Sequence, residues 1–271
     1  MSSILTNTGS MVALQTLKAV NKNLTSVQNE VSTGKSVATA KDNAASWSIA
    51  ATMTSDVSSY KALGESLNQA SATVGTARNA AEQISKILTE IQAKVTQADG
   101  KDAATIATIQ KDVDASLASI VSIANQAQTN GISLTSATGA DLDVIVAINR
   151  DATGALAKDS FTVTAVDLSA LGAALTLTAD SDANNDAIDT LIDTAKGAAA
   201  DFGAAQNRIE AQADFVSKQS DSLKAGISAL VDADMEEASA RLTALQTQQQ
   251  LGIQALSIAN QSPQSVLKLF Q

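Results

Sequence analysis

Two short stretches of the chain contain residue types whose spacing could bind a phosphate group or a metal ion. The first, Gly34-Lys35-Ser36, matches the end of a phosphate-binding loop, in which the lysine and the hydroxyl contact phosphates. That motif also needs an earlier glycine, but its position is occupied by Asn29, and a helical pattern instead of a strand precedes it. The sequence therefore favours a helix break at Gly34 over a nucleotide site.

The second stretch places Asp180, Asp182 and Asn184 at the spacing of calcium ligands. A calcium loop of this kind needs glycine at its sixth position and glutamate at its twelfth, where this chain has Asn185 and Leu191. Acidic side chains also stabilise the start of a helix, because that end carries partial positive charge. We therefore interpret the stretch as the cap of a long helix, and we predict no metal site and no cofactor.

The composition removes most catalytic chemistry. The chain has no cysteine and no histidine, so it lacks a thiolate nucleophile, an imidazole base and the common transition-metal ligands. A serine–lysine or two-carboxylate enzyme is the formal alternative. We predict that the chain is not an enzyme and that it has no catalytic residues.

Charge and hydropathy exclude two classes of partner. The net charge of −10 offers no clustered positive field for nucleic acid. No segment approaches the ~20 apolar residues of a membrane-spanning helix, and residues 1–7 lack the basic start of a secretory signal peptide.

The two ends of the chain both have the apolar periodicity of helices. Near the C-terminus an apolar stripe runs through glutamine, alanine and serine, too polar for a buried core helix and too regular for a linker. Near the N-terminus, apolar residues recur at steps of four and three. We predict that the two ends pair and form an assembly interface, which comprises Leu17, Val20, Leu24, Val27, Val31, Leu242, Leu245, Ile253 and Leu256.

Three further helices are predicted between these ends. One covers about 55–98, one begins at the cap Asp102 and ends near Asn130-Gly131, and one runs from about 185 to 230, roughly 70 Å at ~1.5 Å per residue. Apolar steps of three and four predict a heptad seam in the interior. Its members are Leu67, Val74, Ile84, Leu88, Ile91, Val95, Ile209, Val216 and Leu223.

The middle of the chain has a different periodicity. Short apolar or alternating runs at 142–148, 161–166 and 175–178, separated by glycines, predict a small β-rich insertion. The predicted fold class is therefore mainly α: a long antiparallel helical hairpin or coiled-coil bundle formed by the N- and C-terminal regions, with a small β-containing middle segment at its tip. Such a molecule would be rod-like.

Both ends resemble one protein family. The N-terminal stretches that carry the resemblance are Ser32-Thr33-Gly34-Lys35 and Ala40-Lys41-Asp42-Asn43-Ala44-Ala45. Those at the C-terminal end are Ala205-Gln206-Asn207-Arg208-Ile209-Glu210, Asp232-Ala233-Asp234-Met235 and residues 245–260. Together they resemble bacterial flagellin, the subunit of the flagellar filament, over roughly residues 1–130 and 185–271. The short middle and the glutamine-rich tail resemble the compact flagellins of alphaproteobacteria.

The resemblance implies a layered subunit. Residues 1–42 and 232–271 would form inner-core helices, poorly ordered in the free monomer. Residues 43–130 and 185–231 would form the surrounding helical layer, and 131–184 the outward variable segment. The only tryptophan, Trp47, is then predicted to pack at the joint between the layers.

The resemblance also implies a function and partners. Copies of the chain would polymerise into an extracellular filament for swimming, after export in the unfolded state by the flagellar type III apparatus. The partners would be the chain itself, the hook-junction and filament cap proteins, and a cytoplasmic export chaperone at the C-terminal segment. The alternatives are a hook–filament junction protein and a non-flagellar coiled-coil scaffold.

One departure from the family concerns an animal Toll-like receptor. Many flagellins carry Leu-Gln-Arg-Val-Arg-Glu-Leu on the second long helix, where the receptor recognises them. Residues 88–94 here read Leu-Thr-Glu-Ile-Gln-Ala-Lys, so that Glu90 replaces a cation and Lys94 replaces an apolar contact. We predict weak or absent recognition.

Overall fold

Long helices make up most of this protein, as its alanine-rich, proline-poor composition predicts. The computed structural model describes residues 7–150, 156–173, 175, 177 and 181–268. Within them lie the helices α1 (Thr8–Thr33), α2 (Ala44–Ala98), α3 (Ala103–Gln126), α4 (Ser181–Val231) and α5 (Met235–Lys268). The strands there are β1 (Gln128–Thr129), β2 (Ile132–Ser133), β3 (Leu142–Arg150) and β4 (Leu156–Val163). The predicted mainly α fold class is confirmed.

The helix ends lie at turn and capping residues, but two of them differ from the prediction: α2 begins at Ala44 instead of about 55, because Asn43 already caps it, and α3 ends at Gln126, before the β1–β2 turn at Asn130-Gly131. Helix α1 ends at Gly34, whose φ of 68° is left-handed and whose N–H bonds the carbonyl of Glu30 at 2.9 Å. Asn43 caps α2 through its side-chain oxygen, and Asp102 caps α3 in the same way. Gly34 is therefore a helix terminator, as predicted, and helix α1 precedes it where a phosphate loop would need a strand.

The chain packs as two compact units. Unit 1 comprises Met1–Asp56 and Ser222–Gln271, and unit 2 comprises Val57–Asp221. These divisions lie inside α2 and α4, whereas the predicted domain boundaries at 42/43 and 231/232 coincide with breaks between helices. The predicted five-part layering stays a prediction.

Unit 2 has one continuous apolar core of thirty buried side chains among its described residues. Helix α2 contributes a stripe at steps of three and four, and α3 and α4 pack against it. Eight of the nine predicted seam residues lie in this core: Leu67, Val74, Ile84, Leu88, Ile91, Val95, Ile209 and Val216. The ninth, Leu223, is half-buried and belongs to unit 1.

The β segment forms two antiparallel pairs in unit 2. A tight turn with φ values of 52° at Asn130 and 80° at Gly131 joins β1 to β2. The β3–β4 ribbon buries Val144, Val146 and Val163, with a register shift between 145 and 147.

The ribbon is held against two helices of unit 2. The hydroxyl of Tyr60 in α2 donates to the carbonyl of Ile148 at 3.3 Å, and the guanidinium of Arg208 in α4 lies 4.0 Å from the centre of the Phe161 ring. Both helical residues lie well away from the turn between α2 and α3. The ribbon therefore packs against the sides of the helices, whereas the sequence predicted a β segment at their tip.

The strand predicted at 175–178 is wrong for its described residues. Leu175 and Leu177 are buried without strand pairing, and Thr176 and Thr178 lie outside the described residues. The side chain of Gln110 in α3 accepts from the N–H of Leu177 at 2.7 Å and donates to the carbonyl of Leu175 at 3.4 Å. One side chain thus satisfies the backbone groups that a neighbouring strand would pair.

The calcium-like stretch falls at the start of α4. That helix begins at Ser181, so the described residue Asn184 is helical and buried, not part of an open ligand loop. Asp180 lies outside the described residues. The capping interpretation of the stretch stays a prediction.

Candidate assembly surface

The two ends of the chain pair in unit 1 as antiparallel helices. Leu24 and Val27 of α1 bury against Leu245 of α5, and Val20, Val31 and Leu242 flank this small cluster. Six of the nine predicted assembly residues therefore meet inside one chain. In the single chain they lie at the contact between α1 and α5.

Polar contacts extend the pairing towards the chain ends. The side-chain amide of Asn7 donates to the carbonyl of Ala259 at 2.7 Å, and that of Gln249 donates to Asn21 at 2.7 Å. Between these contacts, Leu17 packs on Gly252, where an added Cβ would lie 3.2 Å from its Cδ1 atom. Leu17 therefore also lies on the intrachain side of the pair.

The remaining predicted residues of α5 occupy different faces. Steps of three and four from Leu245 reach Gln249, Gly252 and Leu256, and Leu256 is half-buried. Ile253 follows Gly252 by one residue, which rotates it about 100° around the helix, and it is 54% exposed. The seam continues through Gln249 and Gly252, so the pattern of apolar residues in the sequence does not reveal it.

Exposed apolar side chains are concentrated in unit 1. Among the described residues, eleven large apolar side chains are exposed, and ten of them belong to this unit. They are Met11, Val12, Leu14, Trp47, Ile49, Leu230, Met235, Leu251, Ile253 and Ile258. Most were not identified from the sequence, although residues 11–14, Met-Val-Ala-Leu, carried a signal, because adjacent apolar residues cover every side of a helix.

A short clasp joins the segments that follow α1 and α4 within unit 1. The carbonyl of Val231 accepts from the N–H of Ser36 at 2.8 Å and of Val37 at 3.3 Å, and the N–H of Ala233 donates to the carbonyl of Gly34 at 3.0 Å. Lys35 and Asp232 form a β-bridge between these bonds. The lysine and serine of the phosphate-loop-like stretch thus take part in structural backbone pairing.

The two units differ sharply in charge. Unit 1 has seven basic and seven acidic residues, whereas unit 2 has eleven basic and 21 acidic residues. The whole net charge of −10 therefore belongs to unit 2. Unit 1 combines zero net charge with exposed apolar side chains, which is the pattern of a surface that other molecules cover.

Over the described parts of the chain, no helix is long and apolar enough to cross a membrane. Nor do three or more acidic side chains come together there at metal-binding distances.

Comparisons with known proteins identify the family. A family model of the bacterial flagellin N-terminal helical region matches residues 4–140, and one of the C-terminal helical region matches residues 185–270. The chain belongs to the bacterial flagellin family. It is therefore a structural subunit of the flagellar filament, an extracellular polymer that serves motility.

Curated flagellins resemble the chain over its whole length. Flagellin of Brucella melitensis is 40% identical over 100% of both chains, and flagellin FljK of Caulobacter vibrioides is 37% identical over 100% of this chain and 99% of that protein. The predicted resemblance to alphaproteobacterial flagellins is confirmed. The crystal structure of Bacillus cereus flagellin aligns with a TM-score of 0.47 at 25% identity, over 55% of this chain and 86% of that one.

Proposed function

We propose that unit 1 carries the contacts by which copies of this flagellin polymerise, and that it is covered by neighbouring copies in the filament. The observation that carries the proposal is the combination of ten exposed large apolar side chains with zero net charge. Burial of such side chains between copies contributes about 25 cal/mol per Å² of apolar area, and balanced charge lets the copies approach closely.

The mechanism is coupled folding and assembly. The α1–α5 pair buries three side chains in its own cluster, Leu24, Val27 and Leu245, while ordering a backbone residue costs about 1–2 kcal/mol. In a single copy, the free energy gained from this burial offsets little of the cost of ordering the two helices. Neighbouring copies add burial for Leu251, Ile253 and Ile258, and a non-closing arrangement of copies extends into an open helical fibre.

We also propose the layering that the resemblance implies. Residues 1–42 and 232–271 form the inner layer of the proposed filament, and 43–130 and 185–231 form the layer around it. Residues 131–184 face outward. The acidic balance of unit 2 supports this order, because a solvated outer layer tolerates net charge that a contact surface does not.

The test is seeded polymerisation with matched variants, followed by electron microscopy. The double substitution Leu251→Ser and Ile258→Ser changes two exposed positions of α5, which are 58% and 70% exposed. The control Phe215→Ser changes the one exposed large apolar side chain found in the described part of unit 2. We expect filaments from the control and none from the double variant, with equal helicity by circular dichroism.

Truncation of the tail supplies a second arm of this experiment. A variant that lacks residues 232–271 loses α5 and the clasp to Gly34, and it should not polymerise. Normal filaments from the double variant would show that this face of α5 is not covered, and filaments from the truncated chain would refute the proposal as a whole.

Export and accessory partners extend the proposal. We infer that the chain is exported unfolded by the flagellar type III apparatus, that a cytoplasmic chaperone covers its C-terminal segment first, and that it contacts hook-junction and cap proteins. The absence of cysteine supports this, because no disulfide obstructs an unfolded chain. We also propose that the subunit has no enzymatic activity. Binding of residues 232–271 to the cytosolic chaperone by isothermal titration tests the first contact.

Recognition by the Toll-like receptor is proposed to be weak. Leu88 and Ile91 of the compared stretch are buried in the core, so the exposed Glu90 dominates what a receptor would meet. Lys94 is half-buried and donates to the hydroxyl of Ser116 at 3.3 Å. Glu90 stands where many flagellins have a cation, so an acidic group of the receptor that attracts that cation would repel Glu90. Reporter cells should respond weakly or not at all, and strong activation at nanomolar concentration would contradict the proposal.

A further inference from the structure

Methionine supplies all of the sulfur chemistry of this chain. The sequence contains four methionines and no cysteine, so thioethers are its only sulfur groups that a peroxide can oxidise. Met1 lies outside the described residues. The other three, Met11, Met53 and Met235, all belong to unit 1. Their surroundings therefore decide which of them an oxidant in solution reaches.

Two of these methionines are open to solvent in the single chain. Met11 is 65% exposed on α1, and Met235, the first residue of α5, is 43% exposed. Leu14 follows Met11 by three positions on the same side of α1 and is also exposed. At the start of α5 the side chain of Asp234 accepts from the N–H of Glu236 at 2.9 Å, a cap that fixes the backbone around Met235. Both thioethers thus lie on the proposed contact surface and within reach of a small solute.

Met53 of α2 has a different environment. Its side chain is half-buried, and its terminal methyl group lies against Gly226 of α4. A Cβ atom added to that glycine would lie 2.7 Å from the methionine Cε, so Met53 fills the space that a side chain would take there. Packing of this kind slows the approach of an oxidant, because oxidation of a side chain follows its exposure. Met53 is therefore an internal reference for the two exposed residues.

We propose that Met11 and Met235 are oxidation sites at which a peroxide converts free copies into a form that does not polymerise, and that polymerisation protects both residues. This inference rests on the proposed polymerisation through unit 1, because the two side chains become covered only if copies meet there. An oxidant would then inactivate subunits before assembly and leave finished filaments intact.

The reaction adds one oxygen atom to each thioether. A lone pair of the sulfur attacks an oxygen of hydrogen peroxide, and an S–O bond forms as the O–O bond breaks. The hydroxide that leaves takes the proton of the transferred hydroxyl group and becomes water, so the sulfur loses two electrons and the peroxide gains them. The sulfoxide is polar and accepts hydrogen bonds, whereas the thioether is apolar. Covering the sulfoxide with apolar side chains of a neighbouring copy therefore costs free energy.

The experiment treats the free chain with dilute hydrogen peroxide, removes the peroxide with catalase and locates each sulfoxide by mass spectrometry of peptides. Seeded polymerisation then gives the critical concentration. We expect Met11 and Met235 to be oxidised several-fold faster than Met53. The critical concentration should rise by about tenfold, which corresponds to about 1.4 kcal/mol per copy, with equal helicity by circular dichroism.

Matched variants assign this effect to the two sites. The double substitution Met11→Leu and Met235→Leu removes both sulfur atoms at similar apolar volume, and it should polymerise equally before and after peroxide. The control Met53→Leu keeps both sites and should respond as the unmodified chain does. Met1 is present in every variant, so its oxidation affects all of them alike. Methionine sulfoxide reductases, one for each epimer of the sulfoxide, should restore polymerisation of the oxidised chain.

Preformed filaments give the second half of the test. The same peroxide should oxidise Met11 and Met235 several-fold more slowly in filaments than in the free chain, because neighbouring copies cover both side chains. Filaments that are treated and then washed should still seed the polymerisation of fresh subunits.

Three results would overturn the inference. One is an unchanged critical concentration for a chain that is fully oxidised at Met11 and Met235, and another is loss of polymerisation by the double leucine variant after peroxide. The third is an equal rate of oxidation at these residues in filaments and in the free chain. If one of these occurs while Leu251→Ser with Ile258→Ser still prevents filaments, polymerisation through unit 1 stands and only this inference fails. If the unmodified chain forms no filaments, both fail.

Discussion

Gly172 allows the short 3-10 helix Ser169–Ala173 to lie directly on α3. A Cβ atom at this position would overlap a methyl group of Val121 and lie 2.8 Å from the carbonyl oxygen of Leu117. The sequence shows only a glycine between apolar runs. The need for a residue without a side chain comes from the close approach of two segments about fifty positions apart in sequence.

We expect Gly172→Ala to lower the free energy of unfolding by about 1–3 kcal/mol, because the backbone contact cannot relax easily. The matched control is Gly197→Ala in α4, where an added Cβ meets no atom within 4 Å. That change should raise stability by about 0.5–1 kcal/mol, since alanine favours a helix. Urea unfolding of both variants checks the pair, and equal effects would mean that the 3-10 helix does not approach α3 so closely.

A second residue-scale prediction concerns Asp102, the cap of α3. Its carboxylate accepts from the hydroxyl of Thr105 at 2.6 Å and from the Thr105 N–H at 3.3 Å. Both bonds favour the charged carboxylate and hold the pKa of Asp102 below its ordinary value. The bond from the Thr105 hydroxyl is the larger cause, and the bond from its backbone N–H is the second. The stabilisation is therefore complete above the unfolded pKa of about 3.9 and is lost as the pH falls through the lower folded pKa.

Carbon NMR titration of the side chain measures this pKa directly. We expect Asp102 to titrate below an ordinary aspartate and Thr105→Ala to raise its pKa towards the usual value. The amides in the first turn of α3 should exchange faster once the pH falls through the folded pKa. An ordinary pKa in the unmodified chain would show that the cap is not formed in solution.

At the scale of elements, the interior helices were predictable because one face of each is buried along most of its length. Steps of three and four along α2 identify residues such as Leu67, Ile84 and Val95, all of them fully buried. The ends followed from local chemistry at Gly34 and Asp102. In each case the signal lies in residues that are close together in the sequence.

Elements that depend on distant partners were harder to predict. The alternating residues 175–178 predict a strand, but the side chain of Gln110 in α3 bonds the backbone of Leu175 and Leu177 instead, and no neighbouring residue in the sequence predicts this contact. In α5 the seam passes through Gln249 and Gly252. The sequence predicts Ile253 as a contact only because its side chain is apolar, whereas the structure leaves it exposed. The face of α5 that meets α1 depends on where residues such as Asn21 and Leu17 lie.

The small cluster between α1 and α5 leads to a prediction about their stability. In the free subunit we expect their amides to exchange faster than those of residues 84–95 in α2, and to slow down on polymerisation. Leu245→Ala should weaken the pair by roughly 2–4 kcal/mol and speed exchange in α1, because the residue is buried. The exposed Leu251→Ala is the matched control and should leave exchange unchanged in the free subunit.

Hydrogen exchange with mass spectrometry resolves these segments. Limited proteolysis gives an independent check, since both termini should be trimmed to a stable middle. Protection of α1 equal to that of the centre of α2 would contradict coupled folding and would mean that the terminal helices are ordered before assembly.

At the scale of the whole molecule, the two units are specialised in opposite ways. Unit 2 has a core of thirty buried side chains and the entire net charge, while unit 1 has few buried residues and most of the exposed apolar ones. The total charge of −10 excluded nucleic acid from the sequence alone. Its confinement to unit 2 required the structure, because unit 1 is built from the two ends of the chain, which are widely separated in sequence.

The only tryptophan reports directly on whether unit 1 is covered. In the single chain Trp47 is 43% exposed, and its neighbour Ile49 is also exposed. The predicted packing of Trp47 at a joint is therefore incomplete in one copy, and a neighbouring copy must complete it if the residue has that role. We expect tryptophan emission to shift to the blue, and acrylamide quenching to fall several-fold, when the subunit polymerises.

A matched control moves the probe to unit 2. In the double variant Trp47→Phe and Phe215→Trp, the new tryptophan occupies a position that is 57% exposed in the single chain. Because unit 2 carries the net charge and is proposed to lie outside, this tryptophan should remain more accessible to acrylamide than Trp47 does in filaments. Equal quenching of Trp47 before and after polymerisation would show that copies do not cover the start of α2. The contacts between copies would then be restricted to other parts of unit 1, such as α1 and α5, whose exposed residues include Met11, Leu251 and Ile258.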